Sequence, residues 1–183
     1  PDRVLIIDFR LPTPDRDCGS LRMLEIIRAM RGRSCEVTFV PDNFFVWPPY
    51  LEQLQELGVE VVHPPAYRTL ADYLQQCGKE FELVVISRAD IATRHLTTVR
   101  RYLPRSKIAF DTVDLHFVRE ERQAKIDHDP ERLTAVARRK HQELTLVRRS
   151  DLTIVVSPTE LELLERECPG KELLVIPTIY PIE

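Results

Sequence analysis

Short, wholly apolar runs recur along this chain, and each is followed by a stretch whose apolar residues return at helical spacing. Val4-Leu5-Ile6-Ile7, ending at Asp8, is the first. A run with no polar alternation suits a strand buried on both faces, as inside a parallel sheet. The polar, proline-broken segment Leu11 to Ser20 reads as a loop, and Leu21, Leu24, Ile27 with Met23, Ile26, Met30 as a helix. Further strands are expected at Glu36 to Val40, Val59 to Val62, Leu83 to Ile86, Lys107 to Phe110, Leu152 to Val156 and Leu173 to Ile176. Helices are expected around Leu51 to Leu57, Leu70 to Cys77, Ile91 to Tyr102 and Leu133 to Val147, with Gly58 and Gly78 as stops. Ser157-Pro158-Thr159-Glu160 is a helix start, with Ser at the N-cap, Pro at the first position and Glu closing a capping box. Asp114 to Ile126 shows no clear period. Strands alternating with helices of about ten residues require right-handed crossovers. The fold class is therefore α/β: a Rossmann-like, doubly wound, mainly parallel sheet of about seven strands, with helices on both faces.

Length and composition fit one globular domain. The chain has 183 residues, of which 43% are hydrophobic and 30% charged. No apolar run approaches the ~20 residues of a membrane span. The chain opens at Pro1 without a basic-then-apolar leader, so it reads as a domain excised from a longer protein. Cys18, Cys35, Cys77 and Cys168 lie far apart and form no CxxC pair. That argues against zinc and for reduced thiols in a cytoplasmic protein. Charge is uneven: Arg94 to Arg149 holds 14 Lys and Arg against 8 Asp and Glu, leaving 12 against 21 elsewhere. A basic middle segment can attract phosphate or an anionic membrane surface at the inner face, as a peripheral contact, or it can be a solvated helix face. There is no basic stripe with aromatics set regularly through it, so nucleic acid is not expected as a partner.

In a doubly wound sheet, ligands bind beyond the C-terminal strand ends, near the reversal of strand order. That rule selects the loops after Asp8, Ile86, Phe110 and Val156. The first ends in Cys18-Gly19-Ser20 at a helix start, which is either a structural turn or a ligand loop in which the glycine admits a ligand to the backbone and free amides favour an anion. Neither GxGxxG nor a Walker loop is present. Ser87-Arg88-Ala89-Asp90 opens the second loop, and Arg88 can clamp a phosphate or carboxylate, or form a salt bridge to Asp90 or to the next loop. The third, Asp111-Thr112-Val113-Asp114-Leu115-His116-Phe117-Val118-Arg119-Glu120-Glu121-Arg122, is densest in chemistry. A histidine beside carboxylates can hold a proton near neutrality, which makes Asp114 and His116 the catalytic candidates.

These stretches, with VLIIDFRLPTPDRDCGSLRMLEIIRAM, KIAFDTVDLHFVREER and RRSDLTIVVSPTELELL followed by VIPTIYPI, are similar to the N-terminal half of a bacterial group 1 glycosyltransferase, a family-four retaining enzyme of GT-B fold. The resemblance spans nearly the whole chain. It implies the strand order 3-2-1-4-5-6-7 and a sugar-transferring enzyme that works on a nucleotide-sugar donor and a glycan or lipid-linked acceptor. Residues 1–176 would be the acceptor-side domain, 177–183 the start of an interdomain linker, and a C-terminal donor-binding domain would follow. No metal or cofactor is expected beyond the nucleotide-sugar substrate. Gly19, Ser20, Arg22, Ser87, Arg88, Asp111, Arg119 and Arg122 would contact donor or acceptor. Cys18-Gly19 stands where relatives carry paired glycines, and Asp111-Thr112 where many carry a histidine–aspartate pair. Two other readings exist. A non-catalytic sugar- or nucleotide-binding module would share the fold. A receiver domain would share the opening strand, but Asp8 lacks a second acid beside it and no lysine follows Phe110.

Overall fold

The computed structural model describes residues 2–77, 80–127 and 129–179. Its elements run β1 (Arg3–Asp8), α1 (Cys18–Gly32), β2 (Glu36–Pro41), α2 (Pro48–Glu56), β3 (Glu60–Val61), α3 (Leu70–Gln76) and β4 (Leu83–Ser87). Then come α4 (Ala89–Tyr102), β5 (Lys107–Asp111), α5 (His116–Ile126), α6 (Pro130–Arg149), β6 (Leu152–Val155), α7 (Pro158–Glu167) and β7 (Glu172–Val175). The seven strands form one sheet in the order β3-β2-β1-β4-β5-β6-β7, and every adjacent pair is parallel. The fold class and strand order expected above are those found.

Alternation along the strands sorts the core into two layers. Leu5, Ile7, Val84, Ile86, Ile108 and Phe110 face α3 to α7. Val4, Ile6, Val37, Phe39, Val85 and Ala109 face α1 and α2, meeting Met23, Leu24, Ile27 and Leu54. The apolar runs lack polar alternation because both sets of side chains are buried.

Several element ends differ from expectation for local reasons. The strand proper of β3 is Glu60 and Val61, against an expected four residues, although the Val62 amide still bonds Phe39 O of β2 at 2.9 Å. Asp114 to Ile126 resolves into α5, which begins at His116, so Asp114 precedes the helix. At α7, Ser157 accepts from the Glu160 amide as a cap should. Glu160, however, reaches past the N-cap to the amides of Val156 (3.0 Å) and Leu115 (3.2 Å), and so holds the β5–α5 loop against α7. The expected stop at Gly78 lies outside the described residues, and the expected linker at 177–183 is described only to residue 179. No described helix is long and apolar enough to cross a membrane.

Gly58 ends α2 in the left-handed region, at φ 73°. Its amide bonds Gln55 O at 2.8 Å and the Val59 amide bonds Leu54 O at 3.0 Å, the paired closure of a Schellman cap. A Cβ here would strain the backbone and press on the Arg31 guanidinium, which itself bonds Leu57 O and Cys35 O. Gly58→Ala is expected to lower unfolding free energy by about 1–2 kcal/mol, read from urea denaturation.

Candidate functional site

The strand order reverses between β1 and β4, and the chemistry converges at that junction. Asp8 closes β1, and Arg88 follows β4 directly. The Arg88 Nε donates to Asp8 Oδ1 at 2.8 Å, and the Phe9 amide donates to the same oxygen at 2.6 Å. Burial pushes the Asp8 carboxyl up to about 6, against the opposing pull of Arg88. Arg88 therefore pairs with Asp8, and Asp90 pairs with Arg139 at 2.7 Å instead.

Gly19 lies in the first turn of α1, beside Arg88. A Cβ there would stand 3.3 Å from Asp17 Oδ1, 3.4 Å from Val113 Cγ1 and 3.5 Å from Arg88 Nη2. Asp17 caps the helix by accepting from the Ser20 amide at 2.7 Å, while the amides at Cys18 and Gly19 have no acceptor within the helix. Both residues flanking Gly19 across the junction carry positive φ: Arg88 at 75° and Val113 at 60°. For a β-branched residue that is a true outlier, and such strain gathers at ligand sites.

Ser20, Arg22, Ser87 and Asp111 lie beneath this surface. Ser20 Oγ donates to Asp17 Oδ2 at 2.8 Å. Asp111, fully buried, accepts from Arg22 Nη1 at 2.9 Å and Ser87 Oγ at 3.1 Å. Arg22, 1% exposed, also donates from Nε to Ile176 O at 2.9 Å. These four side chains hold the loops together from below; Gly19 and Arg88 remain at the surface.

The other candidates belong to a second locus, on α5. Asp114 is ion-paired with Arg119. His116 starts α5 and is half-buried, with Nδ1 4.0 Å from Glu143 Oε1 on α6, beyond hydrogen-bond reach. Burial and the neighbouring Arg119 hold the His116 pKa below its ordinary value, so the ring is neutral at pH 7. Glu143 is 1% exposed; its Oε2 accepts from the Phe117 amide at 3.4 Å, and Oε1 has no hydrogen-bond partner. Burial lifts its carboxyl to about 7. A cleft of about 720 Å³ opens between α5 and α7, lined by Asp114, Arg119, Arg122, Lys140, Ser157 and Arg166 among others. Among the described residues, no group of three or more His, Cys, Asp or Glu side chains could hold a metal ion.

Two residues of this region escaped the sequence reading of the site. Asp8 was read only as the end of a strand, although a carboxylate closing an apolar run is itself a signal. Glu143 is seven residues past Val136, in the buried register of α6, where a carboxylate is out of place.

No protein-family model matches the chain, and no curated protein matches it in sequence. Among solved structures it is similar to sucrose-phosphate synthase from Thermosynechococcus elongatus, with a TM-score of 0.61 at 13% identity. The match covers 97% of this chain and 48% of that protein, so the chain spans about half its length. This likeness establishes a fold in common with about half of that protein.

Two outcomes follow from the buried acids. Asp111→Ala leaves Arg22 charged, buried and unpaired, and is expected to cost about 3–5 kcal/mol in chemical denaturation. Asp8 and Glu143 bind their protons more tightly folded than unfolded. Their contribution to stability is therefore full below the ordinary carboxylate range and is lost as pH rises through about 6 and about 7, respectively. Between pH 4.5 and 7.5 the wild type should lose on the order of 1–3 kcal/mol more stability than Glu143→Gln, measured by urea unfolding across pH.

Proposed function

We propose that this chain is the acceptor-side domain of a retaining glycosyltransferase, which moves a sugar from a nucleotide-sugar to a glycan or lipid-linked acceptor. The observation that carries this reading is Gly19, set between Arg88 and Val113 at the β1/β4 junction, with both neighbours at positive φ. A helix start whose Cys18 and Gly19 amides lie ahead of the Asp17-capped Ser20 amide, beside a guanidinium, is suited to phosphate oxygens. The likeness to a sucrose-phosphate synthase supports sugar transfer as the reaction class, and the half-length coverage supports a donor-binding domain in the parent protein.

In this reading the leaving phosphate approaches the first turn of α1, where amides placed beforehand meet the charge that develops on it. The acceptor hydroxyl must lose a proton as it attacks. A neutral His116, kept so by burial, can accept a hydrogen bond from that hydroxyl and orient it. Asp114 lies two residues earlier, at the mouth of the α5–α7 cleft. Retention permits the donor phosphate to take the proton, so His116 acts mainly by positioning. Arg119 and Arg122 stand nearby to attract an anionic acceptor or a membrane surface at the cytoplasmic face. The family-four assignment belongs to this proposal.

The test is steady-state kinetics on the parent protein with a panel of nucleotide-sugars, beside the isolated chain. The isolated chain is expected not to turn over. In the parent, Gly19→Ala adds a Cβ 3.3 Å from the capping carboxylate of Asp17, so its melting temperature is to be recorded beside its kinetics. It should lose roughly ten- to a thousandfold in kcat/KM, as should His116→Ala. Wild-type turnover in both variants would place the site elsewhere.

A further inference from the structure

Phe9, Phe45 and Trp47 are 49%, 61% and 44% exposed, and they are the exposed large aromatic side chains among the described residues. Phe9 lies on the loop after β1, and Phe45 and Trp47 on the loop after β2, at the C-terminal end of the sheet. The Asn43 amide donates to Phe9 O at 3.2 Å, which binds the second loop to the first. Phe44, at φ 50°, turns that loop outward. Phe45 and Trp47 meet edge-on with ring centroids 6.5 Å apart, and Trp47 and Tyr50 likewise at 6.1 Å. A single exposed apolar side chain is ordinary, but a contiguous aromatic group at a ligand-facing edge is not.

The surroundings decide what such a group can take. Arg16 stacks over Trp47 with its Cζ 4.5 Å from the ring centre, and Asp15 accepts from Tyr50 OH at 2.8 Å. Beside them is a depression of about 380 Å³ lined by Asp15, Tyr50, Glu52, Gln53 and Glu56 with two prolines, and by no lysine or arginine. Three carboxylates repel a phosphate and would be desolvated at a cost by a lipid tail. They are well supplied with acceptor lone pairs for hydroxyl donors. The cationic place on Trp47 is already taken by Arg16. What remains is an aromatic surface, negative on its ring faces, next to hydrogen-bond acceptors: the complement of a pyranose, with its C–H face and its equatorial hydroxyls.

We propose that the loops after β1 and β2 form a subsite for a neutral pyranose ring of the acceptor, which stacks on the exposed face of Phe45 with Trp47 at its side, while its hydroxyls donate to Asp15 and Glu52. This rests on the acceptor-side reading above and names the acceptor's chemistry: an uncharged sugar unit at this end, with any phosphate or lipid elsewhere.

Trp47 is the single tryptophan of the chain and reports directly. Its emission is to be titrated with methyl glucosides, mannosides and galactosides and their disaccharides, with inorganic phosphate and dodecylphosphocholine micelles as controls. A saturable change with at least one neutral glycoside is expected, and none with phosphate. Phe45→Ala, a change at an exposed side chain, should weaken that binding roughly three- to tenfold at unchanged melting temperature. Asp15→Asn should weaken it too. No response to any glycoside, a response untouched by Phe45→Ala, or a response confined to micelles would overturn the subsite. Glycoside binding without sugar transfer by the parent protein would sink the transferase reading and leave the subsite standing. Transfer with an unchanged acceptor KM in Phe45→Ala would do the reverse.

Discussion

The carboxylate of Asp111 is the fixed point of this structure. It ends the interior strand β5, lies wholly out of water, and joins Arg22 of α1 to Ser87 of β4. Arg22 then reaches Ile176 O at the exit of β7, so one buried pair gathers four elements. Such pairs add little net stability, because desolving two charges costs about as much as their attraction returns. Their consequence is geometric. With Arg22 pinned, the register of α1 against the sheet is set, and so is the place of Gly19 one turn earlier.

Strain at the junction depends on that same point. The Arg88 amide bonds Asp111 O at 2.8 Å, and the Arg88 guanidinium bonds Asp8. With both ends held, a left-handed arginine is over-determined rather than free to relax. Val113 is held comparably: the Thr112 amide bonds Ile154 O at 3.0 Å, and the Leu115 amide bonds Glu160. The loops after β1, β4, β5 and β6 thus brace one another, and the two outliers face the same glycine.

How much of this could be read in the chain depends on the range of the interaction. Strands such as Val4 to Ile7 and Leu83 to Ile86 were legible because burial on both faces leaves an unbroken apolar run. Ser157 was legible as a cap because capping is local. Arg88 could be placed on its loop but not matched to its partner, since Asp8 is eighty residues away in sequence. Glu160 looked like half of a capping box, yet it bonds Val156 and Leu115, and the second partner is set by tertiary packing. Val113 gave no warning at all, because nothing local marks a valine for positive φ. The orphan oxygen of Glu143 was likewise invisible, since its burial depends on α5 lying across α6.

Charge along the sequence becomes charge along an edge. The basic stretch from Arg94 to Arg149 folds into α4, α5 and α6, on the β4-to-β6 side, where Arg119, Arg122 and Lys140 line the α5–α7 cleft. The acidic excess falls largely elsewhere, and on the β2 side it surfaces as Asp15, Glu52 and Glu56 beside exposed aromatic rings. Because all seven strands are parallel, both groups open at one end of the sheet, with the Gly19–Arg88 junction between them. Fields of opposite sign at the two ends of one open edge orient a ligand that carries charge at one end only. The direction in which such a ligand lies across the sheet is then fixed by the fold before any specific contact forms.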